Sequence, residues 1–165
     1  MLFRSVTCSV VYRWGSVGSL PNWFLTLKMG DWPLHILVAR AGKIHLMDEV
    51  MSVYRIHHGG IWSSLSHLEK LQATTGMLTA LDRHLEFQYT RSIRRALAQS
   101  YFELASHARR DGNRTETGKH FVNCIRNGGW QLPGSQRTLA GLAAYTLIGS
   151  WYRLLSRAKQ TNGAR

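Results

Sequence analysis

Apolar residues recur in this chain at two different spacings, and the change of spacing divides it. From Asp31, Leu34, Leu37, Val38 and Ala41 form an i, i+3, i+4, i+7 stripe that predicts a helix. Asp31 stands where an N-cap belongs, Pro33 suits a first turn, and Gly42 stands where a helix stops. Val6–Trp14 alternates weakly and is rich in Val and Tyr, as a strand would be. Lys43–Met47 and Val50–Ile56 are two more β-rich runs, interrupted by Asp48 and Glu49, and they read as one bent strand or two short ones. Gly59 and Gly60 close that region with a turn.

Beyond residue 63 the helical period takes over. Ser64–Leu85 carries Leu65, Leu68, Leu71, Leu78, Leu81 and Leu85 on or near one face. Phe87–Arg110 repeats the pattern with Ile93, Leu97, Tyr101, Leu104 and Ala108, and Asp111-Gly112-Asn113 ends it. A third helix is expected from about Thr115 to Arg126, and a fourth from about Thr138 through Leu155. Four helices joined by short turns predict antiparallel packing. The division expected is therefore 1–63 with strands and one helix, and 64–165 as a helical tail.

At 165 residues and 44% hydrophobic, the chain is long and apolar enough to bury a core. Its net charge of +12 is unusual, and it is unevenly placed. Residues 1–63 hold six Lys/Arg against three Asp/Glu, whereas residues 64–165 hold fifteen against six. The excess favours anionic partners without choosing among phosphate, nucleic acid and acidic lipid headgroups; a well-solvated helical surface explains it equally well. Nucleic acid fits poorly, because the basic residues are not interleaved with aromatics in a reading motif. Cys8 and Cys124 make neither a metal motif nor a disulfide framework, and their plainest reading is two buried thiols in a reducing cytoplasm.

No signal peptide is recognisable, and no run reaches the roughly 18–20 apolar residues of a membrane span. The nearest approach is Leu139–Tyr152, ended by Arg153. The segment Leu139–Leu155 is apolar almost all round, carries Trp151 and Tyr152, and is followed by Arg157 and Lys159. That order suits an interfacial anchor on an anionic cytoplasmic leaflet, and it also suits a core helix under the other three.

Candidate chemistry concentrates between Gly30 and Ser63. A carboxylate at a helix amino end stays ionised and can act as a general base, so Asp31 is the first candidate; a plain helix cap is the alternative. His57 and His58 end a strand-like run, and neighbouring strand residues face opposite ways, so one of them at most would face a site. Trp23, Trp32 and Trp62 could stack on a flat or sugar-like ligand or be core aromatics. Walker, GxGxxG, HExxH, GxSxG and CxxC motifs are all missing.

The strings TCSVVYRW, LPNWF, GDWPLHILVARAGKI and DEVMSVYRIHHGGIWS, in that order, resemble the carboxy-terminal half of a bacterial family-two glycosyltransferase. The resemblance is close over residues 5–63 and looser in the tail. It implies an α/β fold: the carboxy-terminal portion of a GT-A nucleotide-sugar transferase domain, followed by an all-helical tail of about four helices. It implies an inverting transfer from a nucleotide-diphosphate sugar to a glycan or other acceptor hydroxyl. Asp31 would be the base, His57 a ligand of Mn²⁺ or Mg²⁺, and Trp23 and Trp32 the acceptor side. The family's donor-binding half and DxD motif would precede these blocks and do not occur here, so the expectation is a fragment inactive alone. The alternative from a different class is a non-catalytic basic helical module that binds an acidic partner or an anionic membrane surface.

Overall fold

The computed structural model describes residues 7–13, 15–53, 55, 57 and 59–147. Within them the chain is helical: α1 (Asp31–Ala41), α2 (His67–His84), α3 (Thr90–Arg110), α4 (Arg114–Arg126) and α5, described over 136–147. Short 3-10 turns occupy Thr7–Ser9, Asn22–Thr26 and Gly129–Gln131. No strand occurs among the described residues. The α/β expectation, with its GT-A domain, is therefore corrected to an all-helical architecture.

The correction has a physical cause. A strand is held by hydrogen bonds to a neighbour, and a lone β-rich run has none. Residues 42–53 run irregularly and open to solvent, with Leu46 80%, Val53 89% and Val50 97% exposed. A strand of a parallel sheet would bury both faces. In the expected first strand, residues 7–9 form a 3-10 turn and 10–13 are irregular, while Val6 and Trp14 lie outside the described residues. So do Tyr54, Ile56, His58 and everything after Leu147, including Trp151, Tyr152, Arg153, Arg157 and Lys159.

The chain forms two compact units, Met1–Leu81 and Asp82–Arg165, and the division falls inside α2. In the first unit, the turn Asn22–Thr26 leads to α1. The Phe24 ring lies against Gly30, where a Cβ would stand 3.7 Å from it. Gly30 is the N-cap of α1, so Asp31 is the first helical residue rather than the cap, and Pro33 is buried in the first turn. Before α2, Ser66 and Glu69 form a reciprocal capping box: the Glu69 carboxylate accepts the Ser66 N–H at 2.9 Å, and Ser66 Oγ accepts the Glu69 N–H at 3.2 Å. These bonds favour the ionised form and hold the Glu69 carboxyl below its ordinary pKa. Lys28 Nζ reaches the same carboxylate at 3.8 Å, tying the approach to α1 to the start of α2. Leu71, Thr75 and Leu78 carry the helical period into the buried side, and the Thr75 hydroxyl is satisfied by donating to the Leu71 carbonyl at 2.7 Å.

The second unit is a helical hairpin closed by α5. In α3, Ile93, Leu97, Ser100, Leu104 and Ala108 are buried at i, i+4, i+7, i+11 and i+15, while Arg91, Arg94, Arg95, Arg109 and Arg110 face solvent. Gly112, at φ +72°, allows the tight reversal, and the Asn113 side chain caps α4 by accepting the Glu116 N–H at 3.1 Å. α3 and α4 pack side by side around Ala98 and Cys124, joined by Leu132 and by Leu139 of α5. Leu139 and Leu142 are both buried, so one side of the described part of α5 packs into the core, while Leu147 is exposed.

Candidate functional site

At the amino end of α1, Asp31 and Trp32 are adjacent and half-buried, and one Asp31 oxygen accepts the Trp32 N–H at 2.9 Å. Trp23 sits in the preceding 3-10 turn beside Phe24, with ring centroids 6.2 Å apart. The Phe24 ring lies against Gly30, so this turn packs against the residue before Asp31. His57 lies in the irregular, exposed stretch after α1. Its carbonyl accepts the Gly60 N–H at 3.3 Å and the Ser63 hydroxyl at 2.7 Å. Among the described residues no group of three or more His, Cys, Asp or Glu side chains is placed to share a metal ion, so no such set surrounds His57. Cys8 is exposed, not buried as its plainest reading had it, whereas Cys124 is buried.

The second unit holds a more definite arrangement of charge. The three-residue turn between α3 and α4 brings Arg109, at the end of one helix, close to Arg114, at the start of the next. Both guanidinium groups lie over the Tyr145 ring of α5, at 5.6 and 5.0 Å from its centroid. Gly141, one turn before Tyr145, makes room: a Cβ there would come within 2.9 Å of Arg109 Nη1. Among the described residues neither guanidinium has an ion pair.

Three carboxylates of this unit have other partners. Asp82 accepts the Thr90 hydroxyl at 2.8 Å, Asp111 bonds His107 Nδ1 at 2.9 Å, and Glu116 is shared by Lys119 at 3.5 Å and His120 at 3.3 Å. His120 is stacked on Tyr101 and mostly buried. Desolvation holds its pKa below the ordinary value against the opposing pull of Glu116, with Lys119 adding to the depression. Its Nδ1 is buried without a hydrogen-bond partner among the described residues. Desolvation of Cys124 raises its thiol to about 11.

No family model, curated protein or solved structure matches the chain. The resemblance to family-two glycosyltransferases thus has no support from any family match, and the helical architecture, with no strand among the described residues, conflicts with the α/β fold that the family requires. We correct that assignment.

The basic runs Arg91–Arg95 and Arg109-Arg110 stand out in the sequence. The meeting of Arg109 and Arg114 on Tyr145 does not, because Tyr145 lies far along the chain. The local signal for it is Arg110-Asp111-Gly112-Asn113-Arg114, a helix stop and start with cations on both sides.

Proposed function

We propose that the chain is a non-catalytic helical module whose second unit binds an anionic partner. The observation that carries this reading is the pair of guanidinium groups, Arg109 and Arg114, placed over one aromatic ring and with no ion pair among the described residues. Stacking on Tyr145 restricts two long side chains before any ligand arrives, which lowers the entropy lost on binding. Arg109 Nη1 also lies close over Gly141, which has no side chain to displace it. A guanidinium offers a planar fork of donors suited to carboxylate or phosphate oxygens. Exposed Arg110, next to Arg109, adds to the positive potential that steers an acidic surface toward the corner.

Sugar transfer rested on the family resemblance, and the geometry at Asp31 and His57 adds nothing to it. The nucleotide-sugar donor, the hydroxyl acceptor and the divalent cation expected with it rest on the same resemblance.

The test is equilibrium binding of the full chain to polyglutamate and to phosphatidylglycerol-containing vesicles at several salt concentrations. Binding to at least one, weakening as salt screens the charges, is expected. Replacing Arg109 and Arg114 together by Gln is expected to reduce affinity several-fold with an unchanged far-ultraviolet spectrum. No binding to either polyanion, or a double variant that binds as the parent does, overturns the reading.

A further inference from the structure

The outward face of α4 is the second feature of this unit that its core does not explain. Lys119, Val122 and Arg126 share the side of the helix opposite the buried Thr117 and Cys124, and Ile125 lies at its edge. All four are exposed, so this face offers apolar side chains flanked by cations. Glu116, which pairs with Lys119 and His120, lies toward the other edge.

Immediately after α4, Trp130 is 60% exposed. Its place in the turn is fixed by the two glycines before it. Gly128 takes φ +84°, which L side chains rarely adopt. Gly129 is buried against Cys124: a Cβ there would overlap Sγ and stand 2.8 Å from the carbonyl oxygen. Leu132 then returns the chain to the core. With residue 129 held inward and residue 132 buried, the intervening tryptophan is presented to solvent by a turn that has little freedom to withdraw it.

We infer that this face of α4, with Trp130 at its carboxyl end, docks the second unit on an anionic lipid surface. The inference rests on the proposed anion-binding role and names its partner. The chemistry favours a bilayer. Val and Ile bordered by Lys and Arg are the composition of an interfacial helix face, and tryptophan settles at the level of lipid headgroups. The charge complementarity is direct, since the face carries Lys119 and Arg126 and the corner at its amino end carries Arg114. No helix among the described residues is long and apolar enough to cross a membrane, so the association would be peripheral. This places a lipid contact on α4; in the Leu139–Leu155 segment Leu139 and Leu142 are buried in the core, and the residues after Leu147 lie outside the described ones.

The experiment is co-sedimentation of the full chain with phosphatidylcholine vesicles, with and without phosphatidylglycerol. Binding is expected only with the anionic lipid. Trp130→Ala is expected to lower the partition coefficient roughly tenfold, and Lys119→Gln with Arg126→Gln roughly thirtyfold. Each variant should keep the parent's thermal transition, because the altered side chains are exposed. Parent and variants binding equally well would remove this face from the contact. Binding to polyglutamate but not to anionic vesicles would overturn the lipid inference and leave the anion-binding role standing. Binding to neither would overturn both.

Discussion

Gly129 packs against Cys124 so closely that its missing side chain is a requirement of the fold. A Cβ at this position would overlap the Cys124 sulfur and lie 2.8 Å from the Cys124 carbonyl oxygen and 3.1 Å from the carbonyl carbon. Two of those three atoms belong to helix backbone and cannot move without disturbing α4. Gly129→Ala is therefore expected to destabilise the protein by about 2–3 kcal/mol, as overpacking at a rigid site does. Gly118→Ala is the control. Its Cβ would meet the Thr146 side chain at an ordinary 3.5 Å, and helix propensity predicts a gain of up to about 1 kcal/mol. Urea unfolding of the two variants should move the midpoint in opposite directions.

The two cysteines should differ sharply in reactivity. Cys8 is exposed, whereas Cys124 is buried with its thiol raised to about 11, so almost none of it is thiolate near neutrality. An aromatic disulfide reagent at pH 7.5 is expected to titrate one thiol in the native protein and two after denaturation. Two fast equivalents in the native state would contradict the packing around Cys124.

Acid should weaken the second unit through His120. Burial lowers its pKa from the ordinary 6.5, which means that the unfolded chain takes up a proton more readily than the folded one. Stability from this group is complete above 6.5 and declines as pH falls through the unfolded value toward the folded one. The nearby Glu116 opposes the effect and Lys119 reinforces it. Unfolding free energies measured across this range should fall on acidification, and His120→Phe, which keeps a ring beside Tyr101, should flatten that part of the profile.

Between α2 and α3 two residues adopt left-handed backbone without being glycine: Glu86 at φ +49° and Phe87 at φ +62°. The Phe87 N–H donates to the Asp82 carbonyl at 3.0 Å and the Glu86 N–H to that of Arg83 at 3.0 Å, which closes the end of α2. An aromatic side chain in this conformation is strained, and Phe87 is largely exposed, so packing offsets little of the cost. Phe87→Gly is expected to be more stable than Phe87→Ala by about 1 kcal/mol in parallel thermal melts, since only glycine adopts this φ without strain.

The helices were readable wherever one period of apolar residues ran long enough. Ile93, Leu97, Leu104 and Ala108 mark the buried face of α3, and Asp111-Gly112-Asn113 marks its end, because both signals depend on residues within a few turns of each other. The run from Lys43 to Val53 misled for the converse reason. Its β-rich composition states a preference, but a strand exists only with a neighbour to bond, and composition holds no information about that neighbour. The blocks that resemble a glycosyltransferase share this weakness, since they fix residue order without supplying a sheet. Exposure of Cys8 depends on packing that local sequence does not encode. Asp31 was placed within one residue of its position, yet the cap is the glycine before it. The corner formed by Arg109, Arg114 and Tyr145 was invisible, as it depends on how α5 returns to the hairpin.

The open stretch from Ile44 to Val53 also sets how copies of this protein behave in concentrated solution. Apolar surface of this kind makes molecules adhere, and here it is carried on a chain whose charge of +12 keeps them apart. Mutual repulsion acts at long range and is screened by salt, whereas adhesion acts at contact and is not. The protein should therefore stay dispersed in dilute buffer below its isoelectric point near 10.5 and cluster when that charge is screened or titrated away. Light scattering would register the change as a rise in particle size without loss of helix.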